Sequence, residues 1–452
     1  MIRFSLEQAV ELTGGRLHPP VGGRAAADFH GMTQDTRSLR VGNLYVALVG
    51  QRVDGHRFIH DAANRGARAA LVSRPIEATI AQIEVDDVIV AMGKLAQAWR
   101  ASLPVQVVGI TGSNGKTSVK TMLATILSQV APTLATRGNY NNEVGVPLTL
   151  AALGKQHRFA VVEMGCGQPG DIAWLASQVD PDVGMVTNAG PAHLERLGSI
   201  EGVARAKGEM FAALGEGDVA VINRDDAFYE FWSGLCPEAR QLSFGMSAAA
   251  DVRLATDKRT PRIVTPFGNF DLDCPLPGQH NQLNALAATA AALALEVEPA
   301  TIAAGLARVE SLPGRLSLHS MPGGWQLIDD SYNANPASLY AGLQVLAEHP
   351  HPRWLVLGEM AELGEASTKL HREIAHAARD LGVDRLLVIG AQAAAVADAF
   401  GPGSEQFERH EDMVRALGES LGKGVTVLVK GSRSAHMERV IEQLLKLEGV
   451  TC

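Results

Sequence analysis

Short apolar runs alternate along this chain with longer stretches in which apolar residues recur every three or four positions. Past Pro104 the runs are "VQVVGI", "FAVVEM", "VGMVT" and "VAVINR", each bounded by polar or glycine-rich turns. Runs this short, separated by helical patterns, predict a parallel sheet buried on both faces. The alternation resumes after Pro313 with "WQLIDD", "RWLVLG", "DRLLVIG" and "VTVLVKGS", again a doubly wound α/β pattern. Near the start, "GNLYVALVG" and "ARAALVS" flank the helical "GHRFIHDAANRGA". A helical pattern with Met92, Leu95 and Trp99 on one face then leads to Pro104, and "NALAATAAALALEV" reads as a buried helix. The expected organisation is α/β throughout, in three domains. These are a small N-terminal α/β domain (1–82), a central parallel-sheet domain (83–313) and a Rossmann-like C-terminal domain (314–452).

One junction carries chemistry. In "VGITGSNGKTSVKTM" a strand end meets a glycine turn, a Lys-Thr pair and the start of a helix. That order is the phosphate loop of nucleotide-binding proteins. Backbone N–H groups of Gly112, Ser113, Asn114, Gly115 and Ser118 would face phosphate oxygens. Lys116 would add a point charge, and Thr117 a hydroxyl for Mg²⁺. The helix pattern runs through Val119, Met122, Leu123, Ile126, Leu127 and Val130, so its positive N-terminal end points at the loop. Ile110 stands where the common motif has its first glycine, so a plain glycine turn before an amphipathic helix is the competing reading.

Metal ligands for phosphoryl transfer belong at the carboxyl ends of neighbouring strands. Glu163 closes "FAVVE", where a carboxylate is expensive unless it meets a cation. His193 lies in the loop after "VGMVT". Lys207 falls on the apolar face of "SIEGVARAKGEMFAAL", with Ile200, Val203, Met210, Phe211 and Leu214. An uncompensated buried ammonium costs several kcal/mol, so either the stem snorkels or the lysine is functional.

Composition narrows the class. Acidic residues outnumber basic ones, 49 to 40, for a net charge of −9. An acidic chain without basic runs argues against nucleic-acid binding. No window approaches about 20 apolar residues, so no membrane span is expected, and the N-terminal residues lack a signal-peptide pattern. Cys166, Cys236, Cys274 and Cys452 show neither zinc nor disulfide spacing, which suits reduced thiols.

Several motifs together resemble the Mur ligases, ATP-dependent amide-forming enzymes of peptidoglycan synthesis. They are "TGSNGKT", "RGNYNNEVGVPLTL", "VVEMG", "TNAGPAHLERLGS", "ARAKGEMF", "GQHNQLNALAA" and "LPGR". "IDDSYNANPASLYAGL", "LGEMAELGEASTKLH" and "VLVKGSRSAHMERV" are similar to members that add D-alanyl-D-alanine to a UDP-N-acetylmuramoyl tripeptide. The resemblance implies a phosphate loop without the earlier glycine, ATP and two Mg²⁺ ions held by Thr117, Glu163 and His193, and a CO₂-derived carbamate on Lys207 as a further metal ligand. It also implies Asn281 on the adenine, Arg315 on the phosphates and Asp330 on the ribose. Asn281 and Asn284 could equally cap their helix. Asn139, Asn141 and Asn142 would face the muramoyl peptide, and Thr36, Arg37, Ser38, Asp54 and His56 the UDP. Tyr332, Asn333, Asn335, Ser338, Lys430, Ser432 and Arg433 would serve the dipeptide. An acyl phosphate would be the intermediate, and a cytoplasmic monomer without nucleic-acid or membrane partners the expected form. The alternatives are the family member that adds the third amino acid, although no Asp-Asn-Pro-Arg run is present, a folylpoly-γ-glutamate synthetase, or a P-loop ATPase acting on protein partners.

Overall fold

The computed structural model describes residues 1–447 except 24 and 256–260. Every apolar run quoted above forms a strand. Nine strands make the central sheet, ordered Phe270–Asp271, Arg262–Val264, Val252–Ala255, Arg240–Gly245, Val219–Asn223, Val183–Val186, Gln106–Thr111, Phe159–Glu163, Thr133–Ala135. The seven from Val252 onward in that order pair in parallel, and the first two are an antiparallel extension. One face packs on the helices Lys116–Leu127, Gln279–Ala294 and Pro299–Leu306. The other packs on Asp171–Val179, Ile200–Ala212 and Tyr229–Leu235. Burial on both faces explains why these strands read as unbroken apolar runs.

The first sheet orders Arg16–His18, Ala81–Glu84, Ala69–Val72, Leu44–Val46 and Met32–Thr33. The strand Ala81–Glu84 straddles residue 82, and Val88, Ala91, Met92 and Leu95 of the following helix share the first sheet's core. The third sheet orders Ser317–Ser320, Gln326–Asp330, Thr426–Lys430, Arg353–Gly358, Arg385–Ile389 and Ser404–Phe407, all parallel but for its first pair.

Three expectations shift. The phosphate-loop helix stops at Leu127, and Val130 is exposed, because Pro132 lies just ahead and the chain must leave the helical conformation. Ile200, in the first turn of its helix, is also exposed. The strands Val252–Ala255, Arg262–Val264, Phe270–Asp271 and Ser317–Ser320 escaped the sequence reading because they are short, half-exposed and lack a continuous apolar run. Cys166 and Cys236 are buried free thiols and Cys274 a half-buried one, whereas Cys452 lies outside the described residues.

The helix bearing Lys207 is braced by Trp232, which is fully buried, donates from Nε1 to the Ala204 carbonyl at 2.9 Å and packs on Phe211 and Phe228. Trp232→Ala should destabilise the chain by about 3–5 kcal/mol. A lowered urea midpoint checks this, and an unchanged one would contradict the packing.

Candidate active site

The strand Gln106–Thr111 lies between Phe159–Glu163 and Val183–Val186, with later strands running outward to one side and Thr133–Ala135 to the other. Strand order reverses here, so the loops at the carboxyl ends diverge and leave a crevice. The turn after Thr111 needs its glycines. A Cβ on Gly112 (φ 146°) would fall 1.8 Å from Thr187 Oγ1, and one on Gly115 (φ 80°) 2.3 Å from Asn284 Oδ1. Ile110, by contrast, is a fully buried strand residue in the central core, ahead of the turn. The loop is bolted to its neighbour: Ser113 N donates to Asn188 O and Ser113 Oγ to Gly190 O, both at 3.0 Å, and Asn114 N to Asn188 Oδ1 at 3.0 Å. Asn188, at the end of a strand run, gave no distinctive sequence signal.

Lys116 folds back over the loop, Nζ donating to Gly112 O at 2.6 Å. Burial, then the nearby charge of Lys207, lowers its pKa to about 8. Glu163 is 2% exposed and every oxygen of its carboxylate is used. Thr117 Oγ1 donates to Oε2 at 3.1 Å, Lys120 Nζ lies 2.9 Å from the same oxygen, and Asn141 Nδ2 donates to Oε1 at 2.8 Å. Burial alone would raise the Glu163 carboxyl, but Lys120 and Lys116 outweigh it and hold it below the usual range. Lys120 was missed. It sits four residues after Lys116, on the same helix face, and that spacing is the signal. It also donates to Gly138 O at 2.9 Å, tying the asparagine-rich loop to the helix. Asn142 Oδ1 accepts from Gly145 N at 3.0 Å, so one of the three asparagines shapes the loop itself.

Lys207 is 1% exposed, and its Nζ reaches Cys166 Sγ at 3.5 Å. No oxygen faces this ammonium among its hydrogen bonds within the described residues. Burial, joined by the charges of Lys207 and Lys116, lowers the proton affinity of His193 against the pull of Glu362. Its Nδ1 meets Glu362 Oε2, across from the third sheet, at 2.5 Å. No three His, Cys, Asp or Glu side chains among the described residues stand together as a metal cage. A Mg²⁺ ion needs no such cage, since it keeps waters and takes phosphate oxygens, and Thr117 with Glu163 offers it two oxygens.

The third sheet closes the crevice. Arg315 Nη2 donates to Thr117 Oγ1 at 3.3 Å, and its guanidinium lies 4.2 Å over the Tyr332 ring. Asn335 Nδ2 donates to Asn114 Oδ1 at 2.7 Å. Asn335 and Ser338 also cap the helix Pro336–Ala347 reciprocally. Asp330 and Lys430, register partners on adjacent strands, form a buried ion pair at 2.5 Å. Burial raises the Asp330 carboxyl and lowers the Lys430 ammonium, each countered by the other. Lys430 Nζ further donates to Asn333 O at 3.0 Å, and Arg433 N to Asn333 Oδ1 at 3.3 Å.

A cleft of about 1060 Å³ unites these groups, lined by Ser113 through Ser118, Asn139, Asn141, Asn142, Glu163, His193, Asn281, Arg315, Asp330, Tyr332, Asn333, Asn335, Ser338, Lys430 and Arg433. Buried Lys207 and Ser432 stand behind that lining, Ser432 through a contact with Ser434 Oγ at 3.1 Å. Gly278 is the helix N-cap beside Asn281, so the capping alternative fails. Asn281 instead donates to Pro277 O at 2.8 Å and accepts from Asn284 Nδ2 at 3.1 Å. Thr36, Arg37, Ser38, Asp54 and His56 do not line the cleft. Arg37 pairs with Asp35 on the surface, and Ser38 Oγ meets Thr33 Oγ1 at 3.1 Å. Asp54 is held well below the carboxylate range by the His56 backbone N–H, Arg74 and the His56 ring. Ser73 N donates to His56 Nε2 at 3.2 Å, which leaves the ring proton on Nδ1.

Comparison with known proteins agrees across the chain. Residues 28–100 match the family description "Mur ligase family, catalytic domain", residues 110–292 "Mur ligase middle domain", and residues 314–433 "Mur ligase, glutamate ligase domain". The UDP-N-acetylmuramoyl-tripeptide–D-alanyl-D-alanine ligase of Escherichia coli (strain K12) is 42% identical, with all of both chains covered. A crystal structure of MurF from Acinetobacter baumannii superposes with a TM-score of 0.90 at 32% identity, covering 98% of this chain and 99% of that one. MurF ligase from Thermotoga maritima in complex with ADP superposes at 0.83 and 28% identity, covering 92% and 97%. The chain belongs to the Mur ligase family.

Proposed function

We propose that the chain joins D-alanyl-D-alanine to UDP-N-acetylmuramoyl tripeptide at the expense of ATP, in the synthesis of peptidoglycan precursors. The observation that carries this reading is a cleft in which a phosphate loop and the third sheet's polar residues meet, with the buried Lys207 behind it against Cys166, one of its lining residues. The relatives named above support the substrates. The three units divide the labour: residues to about 101 take the UDP end, the central sheet ATP, and residues from 314 the dipeptide.

Gly112 to Ser118 cradle the phosphates, while Lys116 and Arg315 offset charge on the group in transit. A carboxylate is a poor electrophile at neutral pH, and phosphorylation by ATP converts it to an acyl phosphate with loss of ADP. The dipeptide amine then attacks the carbonyl carbon, and phosphate leaves. Thr117 and Glu163, with His193 lining the same cleft, would hold Mg²⁺, which would supply positive charge to the phosphates. Lys207 fits a carbamate, because CO₂ addition to its amine replaces an unpaired buried cation with an anion among Lys116 and His193. Dependence on ATP points to the cytoplasm, and one chain supplies the whole site, so a monomer suffices. Among the described residues no helix is long and apolar enough to cross a membrane.

Phosphate release from ATP should require both the UDP-muramoyl tripeptide and D-alanyl-D-alanine. Steady release with neither present would instead mark an ATPase. Lys116→Ala should lower kcat by about a hundredfold or more, read in the same coupled assay. Lys207→Ala should lose activity and regain part of it with added acetate or formate. A fully active Lys207→Ala enzyme would remove the carbamate from this account.

A further inference from the structure

We infer that Glu362 is the residue that binds the ammonium group of the incoming dipeptide and sets it beside the acyl phosphate. This rests on the ligase reading above. A free dipeptide is a zwitterion of about 7 Å between its charged ends, two residues at about 3.3–3.6 Å each. Its site therefore needs an anion and a cation at that separation, with the anion toward the phosphate loop.

The cleft is lined by five carboxylates, and four have other duties or positions. Glu163 is saturated by Thr117, Lys120 and Asn141. Asp330 is locked to Lys430. Asp171 accepts from Gly167 N at 2.8 Å and Gln168 N at 3.0 Å, closing its own turn. Glu143 is exposed on the asparagine-rich loop of the central unit. Glu362 differs. It belongs to the third unit, its side chain is half exposed, and its one ion-pair partner among the described residues is His193. Glu362 and His193 line the same cleft as Ser113 through Ser118, so the pairing places Glu362 on the side of the phosphate loop. A nucleophile must stand within about 3–3.5 Å of the carbon it attacks, so an amine-binding anion is wanted at this spot.

The cation comes from the next strand. Leu357 and Lys430 are register partners on adjacent parallel strands, which lie about 4.8 Å apart. The loops that follow them are stitched where Ser432 N donates to Glu359 O at 2.9 Å. One loop carries Glu362 and the other Arg433, whose side chain is 61% exposed, lies over Tyr332 and meets Glu438 only at 3.6 Å, a long pair that a substrate carboxylate can replace. Opposite charges on two tied loops suit the two ends of a zwitterion. Backbone geometry agrees that Glu362 is held for a purpose: it has φ 62° and its partner His193 φ 55°, a region non-glycine residues rarely adopt.

Initial rates of wild type, Glu362→Gln and Glu362→Asp, with each substrate varied in turn, test the assignment. Glu362→Gln should raise KM for D-alanyl-D-alanine more than about tenfold, the loss expected of one charged hydrogen bond. KM for ATP and for the UDP-muramoyl tripeptide should stay within about twofold, and Glu362→Asp should recover part of the loss. Inhibition by N-acetyl-D-alanyl-D-alanine, which lacks the ammonium, should be the same in wild type and Glu362→Gln. An unchanged dipeptide KM would overturn the inference, as would a variant altered only in its Mg²⁺ requirement, because Glu362 would then serve His193 alone. A wild-type chain that forms no amide at all would instead sink the ligase reading, and this inference with it.

Discussion

Too much positive charge in too little water governs this site. Lys116, Lys120, Lys207 and Arg315 converge on a crevice whose central unit supplies one fully buried carboxylate, Glu163. Burying an ammonium without compensation costs several kcal/mol, and the strain shows in the lowered pKa of Lys116. Such a pocket is stabilised by whatever anions enter it. A triphosphate on the loop is an anion of the right kind and place, as the carbamate proposed for Lys207 would be. The same surplus stabilises the charge that develops as a phosphoryl group moves, so the feature that makes the empty protein uncomfortable makes the loaded one effective.

Among the described residues, three polar contacts join the third unit to this pocket. Asn335 reaches Asn114, Arg315 reaches Thr117, and Glu362 reaches His193. Contacts of this kind are polar and individually worth about 1 kcal/mol. An interface built from them can open to admit substrates and close over them. Closure excludes water, and an acyl phosphate that meets water rather than the amine is wasted.

Much of this was legible in the sequence because parallel strands announce themselves. "VQVVGI" and "VTVLVKGS" are buried on both faces and so carry no polar interruption, whereas "VRLA" and "SLHS", half-exposed, offered no comparable run. Glu163 stood out because it ends such a run, and Lys207 because it breaks an apolar helix face. Lys120 and Glu362 stayed hidden. Lys120 acquires its meaning only when the strand Phe159–Glu163 is laid beside its helix, and Glu362 only when the third sheet folds over the His193 loop. Both depend on pairings between residues far apart in the chain, which no local pattern encodes. The five N-terminal residues stand apart from the cleft, and there Asp54 and His56 pair with one another while Ser73 N donates to His56.

That contrast supplies a rule for sorting the charges. The Asp330–Lys430 pair is as buried as anything in the molecule, but each member answers the other, and Lys430 also holds Asn333 in place. Removing one partner would leave an uncompensated charge, so the pair behaves as structure even though it borders the cleft. Among the described residues Lys207 has a sulfur as its hydrogen-bond partner and Glu362 a histidine as its ion-pair partner. A charge whose partner is incomplete is a charge kept for something that arrives later. By that measure Lys207 and Glu362 are the two charges that bracket the proposed reaction, one on the central unit and one on the third.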